Sequence, residues 1–394
     1  MDNQYSYYQN LYNMFGGYNP LFDNKVKKLR RLGFVIGCGM ISFTLMQYVF
    51  VFILKFFGLE SLYNSDALFQ TGISAIAPLL YVLLPFVFVY LLYDREDKNS
   101  VDIFELPKSK ELFVYSVFVG LLVCSLGDRA TSFISAFFSM TGVDFESPDS
   151  LDPTTLPGYF LQVIAYAVVP PLVEEFAMRG VVMQPLRKFG DRFAIVASAV
   201  LFAILHGNMV QIPFAFVAGL ALGYFAIVTN SIWTSVAIHS LNNLSAVVIS
   251  IYYTNHSEND MLFYYAIEGA ILVVGLIAFI LFAKMKPEKL QKDSNEMSGS
   301  LRYSTFFCTP SIVISILICL MTSLSFTKVK SGIGTLVTIF SVALIAFLLI
   351  KGSLNAKKDT RITKSGMYTF SIVATVIASF FIMYFVMIMS VASR

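Results

Sequence analysis

Long apolar runs separated by short charged loops leave this chain few ways to fold. They are Leu32 to Phe57, Ile73 to Tyr93, Leu112 to Met140, Gly158 to Leu186, Phe193 to His206, Phe214 to Val228, Ile232 to Tyr253, Met261 to Phe282, Phe306 to Phe326, Ile333 to Ile350 and Met367 to Val391. Lipid offers no partner to an open backbone, so runs of this kind cross a membrane as helices. The expectation is an all-α, polytopic transmembrane helical bundle of about eleven spans. A soluble domain is excluded, because 57% of the 394 residues are hydrophobic and only 13% are charged.

The charges orient the bundle. Lys25, Lys27, Lys28, Arg30 and Arg31 precede the first run, and basic loops recur at Arg95 to Lys110, Arg187 to Arg192 and Lys284 to Lys292. The loop holding Asp144, Glu146, Asp149 and Asp152 is purely acidic. Basic loops stay in the cytoplasm, so the N-terminus is expected inside, in a multi-pass integral protein of the plasma membrane. Lys328 and Lys330 fall on the outer side against this pattern, which a re-entrant or misassigned run would explain. A net charge of +3 is too small to imply a nucleic-acid partner. Cys38, Cys124, Cys308 and Cys319 lie inside apolar runs without CxxC spacing, and read as packing residues. No cleavable signal peptide is expected in the Tyr- and Asn-rich start. The chain divides into a cytoplasmic tail (1–31), first transmembrane helices (32–153), a core (154–285), a polar cytoplasmic linker (286–304) and additional C-terminal helices (305–394).

The run Gly158 to Leu186 is interrupted by three charges, at Pro170-Pro171-Leu172-Val173-Glu174-Glu175-Phe176-Ala177-Met178-Arg179-Gly180, while Asp128 and Arg129 in the third run read as a local polar break near a helix end. Ionisable groups at membrane depth are costly and mark functional sites. On a helix Glu175 and Arg179 share a face and can pair, which leaves Glu174 turned away and free for chemistry. The alternative is a buried ion network that only holds helices together. Two prolines in succession should kink the helix just before the carboxylates. Downstream, Phe202 stands one turn before His206 and His239 one turn before Asn243. Counted from the basic ends, Glu175, His206 and Asn243 all lie about 16–21 Å deep, so three helices can bring them to one level.

The three patterns Glu174-Glu175-x-x-x-Arg179, Phe202-x-x-x-His206 and His239-x-x-x-Asn243, in this order, resemble the signature of the CAAX-processing and bacteriocin-processing intramembrane proteases, the CPBP or Abi family, which includes the type II CAAX prenyl endopeptidases. The resemblance covers Gly158 to Tyr253. It implies an intramembrane endopeptidase acting on a peptide or protein that reaches the site through the lipid bilayer. Glu174, His206, His239 and Asn243 are the candidate catalytic residues, and Glu175, Arg179 and Phe202 support them. In this reading Glu174 and His206 activate a water while His239 and Asn243 stabilise the oxyanion. A zinc ion held by Glu174, His206 and His239 and a metal-free, glutamate-activated water both remain open. Two other classes stay in view: a secondary transporter with a midplane Glu/His site, and a non-catalytic immunity or scaffold protein that keeps the motifs for stability.

Overall fold

A computed structural model describes residues 20–101, 104–148, 150–256, 261–285, 287, 289–291, 297–359, 371–372 and 375. The helices run in chain order as α1 (Pro20–Phe56), α2 (Ala67–Leu92), α3 (Lys110–Met140), α4 (Leu156–Phe189), α5 (Asp191–Leu205), α6 (Ile212–Val228), α7 (Ile232–Asn255), α8 (Leu262–Lys284), α9 (Gly299–Phe307), α10 (Pro310–Ser325) and α11 (Gly332–Asp359). Two short strands, β1 (Val143–Phe145) and β2 (Thr327–Val329), pair antiparallel.

The all-α membrane architecture is as expected. Among the described residues seven helices are long and apolar enough to cross a membrane, or eight if α9 and α10, bent by 70° at their junction, act as one. The expected fifth span is α5, with 15 residues, and the sixth is α6, with 17. At 1.5 Å per residue these helices reach only about 22 and 26 Å, short of the roughly 30 Å hydrocarbon core. In α5 the buried positions occur all round the helix, from Asp191 and Phe193 to Phe202 and Leu205. A helix apolar on every side is one enclosed by protein, so here the hydrophobic run reports contact with neighbouring helices. The expected last span, Met367 to Val391, lies outside the described residues apart from Ser371, Ile372 and Thr375.

Helices α3 to α7 pack together around the site, α8 lies against α3, and α1 pairs with α2. The additional C-terminal helices are fastened to α1 by close backbone approach. Ser311 donates to the carbonyls of Gly33 and Phe34, and Ser315 to that of Gly37. Small residues permit such contacts between membrane helices. The linker expected at 286–304 is partly helical, because α9 begins at Gly299. Its buried face carries Leu301 and Arg302, and Tyr303 packs edge-on against Phe193 of α5 at 5.1 Å.

Loop charges gather at two ends. Lys28 pairs with Glu96 at 2.6 Å and Lys188 with Asp97 at 2.7 Å, so three of the basic loops meet. At the other end Lys330 pairs with Asp144 at 2.7 Å, and Lys328 pairs with Glu146 across the β1–β2 ladder. The discordant lysines therefore sit opposite acidic partners contributed by a loop far away in sequence.

Candidate active site

The site starts from a backbone defect in α4. Pro170 and Pro171 have no N–H, so the Tyr166 carbonyl one turn earlier loses its helical partner. The chain widens into a π-helical segment at Val163–Val168, and Val168 departs from the usual helical φ, at −115°. Helix α4 nonetheless continues through the prolines. Asn243 of α7 donates its side-chain amide to the Tyr166 oxygen at 2.9 Å, which satisfies the freed carbonyl and ties α7 to α4. The expected disturbance before the carboxylates takes the form of this π-helical segment, and one of the expected catalytic residues bonds the carbonyl it frees.

Below this segment the paired carboxylates diverge. Glu175 and Arg179 are fully buried, and the Arg179 Nη1 donates to Glu175 Oε1 at 2.9 Å. Arg179 Nη2 donates to the Gly219 carbonyl at 3.2 Å, and its guanidinium lies over the Phe202 ring at 4.5 Å. Gly219 suits this close approach, since a Cβ would stand 3.0 Å from the Ala199 backbone and 3.3 Å from the Phe202 ring. On the other side, His239 Nδ1 donates to the same Glu175 oxygen at 3.0 Å. Glu175 thus joins, through one oxygen, an arginine on its own helix to an imidazole from α7, and its complete burial closes it to water.

Glu174, about 100° further round the helix, faces a cavity of about 180 Å³ shared with His206, His239, Asn242, Asn243, Gln211 and Cys124. The cavity is roomy enough for water. His239 Nε2 stands 3.9 Å from Glu174 Oε2. Because Nδ1 of His239 carries the hydrogen shared with Glu175, Nε2 is the atom this ring presents to the cavity. His206 is fixed in the same way. Its Nδ1 donates to the Phe202 carbonyl at 3.0 Å, which leaves Nε2 free. The turn after it is closed by Gly207 at φ +61° and by Asn208, whose amide donates to the His206 carbonyl at 2.9 Å.

Phe202 has a larger part than one turn's spacing suggested. Its ring meets His206 edge-on at 5.0 Å and His239 at 5.7 Å while carrying the Arg179 guanidinium on its face. It is a single apolar spacer among three cationic or basic groups. Helix geometry within one segment could not reveal Tyr166, Gly219 or the cavity-lining Cys124, because their roles depend on contacts between helices. The one sequence signal was the small-residue pattern Gly219-x-x-x-Gly223, which favours close helix contact. Outside the cavity, Arg129 pairs with Glu268 of α8 at 2.9 Å. His256 is solvent-exposed and stacks on Tyr252 at 4.2 Å.

Glu174, His206 and His239 offer donor atoms that suit zinc. However, no group of three or more His, Cys, Asp or Glu side chains among the described residues is arranged to hold a metal ion. The donor set as placed does not fit the ion.

Residues 156–245 match the family model for Rce1-like type II CAAX prenyl endopeptidases. No curated protein and no solved structure matches the chain. The matched interval contains both carboxylates of α4, His206 at the end of α5, and His239 and Asn243 of α7. The resemblance read from the three motifs is thus supported by a match, to a family of prenyl endopeptidases, over the interval that carries them.

Proposed function

We propose that this protein is an intramembrane endopeptidase that hydrolyses a peptide bond of a membrane-associated peptide or protein. The observation that carries the reading is the division of labour between adjacent carboxylates. Glu175 is bound to Arg179 and His239, while Glu174 faces a cavity that also presents the Nε2 atoms of two histidines.

Glu174 takes a proton from water, and the water oxygen adds to the scissile carbonyl carbon. The oxyanion that forms needs donors within the cavity. His239, held by Glu175 at Nδ1, turns Nε2 to the cavity and supplies one whenever that atom carries a proton. Asn243 has a second amide hydrogen beyond the one it gives to Tyr166. When the tetrahedral intermediate collapses, the C–N bond breaks and the departing nitrogen receives the proton, with His206 as the relay. The products are a carboxylate and an amine. Arg179, Glu175 and Phe202 position these groups and need not touch substrate. The N-terminus inside and a plasma-membrane location belong to the same proposal, as does the peptide or protein partner arriving through the bilayer.

The test is proteolysis of a defined peptide library by purified protein in lipid, with Glu174→Gln alongside and a chelator arm. New peptide ends with wild type and none with Glu174→Gln support the reading, and chelator insensitivity supports metal-free water activation. Uptake of a solute without new ends would favour a carrier.

A further inference from the structure

The catalytic cavity, about 180 Å³, is smaller than the about 300–1,000 Å³ of ordinary ligand pockets. A protease must nevertheless hold a chain on both sides of the bond it cuts. A larger cavity of about 510 Å³ lies between the second half of α1, the short helix Glu60–Ser65 and α2. Gln47 and Tyr81 line it beside Phe43, whose ring meets Tyr81 at 5.6 Å, and it is lined by Lys55 further along α1 and by Glu60 of the short helix. The side chains of Lys55 and Glu60 are 57% and 54% exposed, so the cavity has a mouth there, open to the outside of the bundle.

Two contacts bring this cavity to the catalytic centre. Tyr81 belongs to a π-helical turn, Leu79–Leu83, that packs against the Val169–Glu175 segment of α4, and its ring lies within electrostatic range of the Glu174 carboxylate. Insertions of this kind are frequent at functional sites. Gln47 also borders a cavity of about 30 Å³ whose wall includes Gly207, the residue after His206. Through Tyr81 and Gln47, on two different helices, the larger cavity thus reaches towards Glu174 and towards the turn after His206.

We propose that this cavity is the second half of the peptide-binding cleft, seating an extended stretch of substrate between the cut bond and the mouth at Lys55 and Glu60. The inference rests on the protease reading. Gln47 and Lys55 are eight positions apart on one helix, about 12 Å, which an extended chain covers in about three to four residues. Gln47, Asn64 and Ser74 can bond backbone amides, while Val51, Leu54 and Ile73 favour apolar side chains. Lys55 pairs with Glu60 at 3.3 Å, so the mouth presents a neutral pair and holds no bare cation for a terminal carboxylate. The substrate chain accordingly runs on past the mouth.

Ser74→Cys and Ile73→Cys place a thiol in this cavity, and Ser65→Cys places one on the exposed surface beside it. Each full-length variant in detergent is treated with the trimethylammonium-ethyl methanethiosulfonate reagent, and cleavage of the best library peptide is compared with identically treated wild type. Labelled Ser74→Cys and Ile73→Cys should raise KM about tenfold with kcat little changed, and labelled Ser65→Cys should change neither. An unchanged KM in labelled Ser74→Cys and Ile73→Cys, or failure of both to label, overturns the inference while wild-type cleavage stands. Wild type that cleaves nothing before labelling sinks the protease reading and this inference together.

Discussion

Adjacent glutamates in α4 meet opposite fates because one helical step separates their environments. Glu175 has lost all contact with solvent, and its oxygen serves Arg179 and His239. Removing one member of such a buried group strands the others, at a cost of about 3–5 kcal/mol. Arg179→Ala should therefore unfold at markedly lower denaturant or temperature than wild type, with Glu175→Gln also destabilised. Glu174→Gln, facing the cavity with a side chain 19% exposed, should keep wild-type stability. Equal destabilisation of Glu174→Gln and Arg179→Ala would return Glu174 to a structural network. The Glu175–Arg179 pair was readable from spacing because both residues share one helix. The Glu175–His239 bond was not, since 64 positions and a change of helix lie between them.

At the scale of the helix, α4 illustrates how a membrane span tolerates two prolines. The carbonyl they orphan is satisfied from outside by Asn243. Asn243→Ala should cost about 1–3 kcal/mol, the penalty of a buried acceptor left without a partner, and thermal unfolding in detergent measures it. An Asn243 whose only role was at the oxyanion would lose activity with stability intact. A second element-scale device is the clamp where Lys28 and Lys188 converge on the helix Arg95–Ser100. Hydrogen bonds from Lys28 and Lys188 hold the Glu96 carboxyl below its ordinary value of 4.5. A depressed carboxylate contributes its stabilisation above the unfolded value and loses it as pH falls towards the folded one. The protection of the Arg95–Ser100 amides, relative to their intrinsic exchange at each pH, should thus be constant above about pH 5 and fall below about pH 4.5, and Glu96→Gln should flatten that fall. The effect is small because Glu96 is mostly exposed.

Across the whole molecule, the reading of apolar runs located the helices well and their surroundings less well. Hydropathy registers removal from water, and α5 is removed from water by protein. The same limit hid the β1–β2 ladder, where Lys328 and Lys330 find Glu146 and Asp144 only after the chain has folded. The grouping of charged loops at two ends leads to a topology expectation: a reporter fused after Lys188 should read as cytoplasmic and one fused at Asp144 as external. Reporters on the same side would contradict it. The C-terminal helices lie beyond the matched interval yet pack on α1, and Thr322 of α10 comes within 3.3 Å of a Cβ built on Gly207. They therefore belong to the same body as the site.

The central claim is that Glu174, working with His206, activates the water that cuts a peptide bond. The most direct measurement is peptide hydrolysis in heavy-oxygen water by wild type, Glu174→Gln, His206→Ala and His256→Ala, with the new ends read by mass spectrometry. Wild type and His256→Ala should produce new carboxyl ends carrying the heavy isotope, while Glu174→Gln and His206→Ala, folded as judged by thermal unfolding, should produce none above background. New labelled ends from Glu174→Gln or His206→Ala at the wild-type rate would contradict the claim.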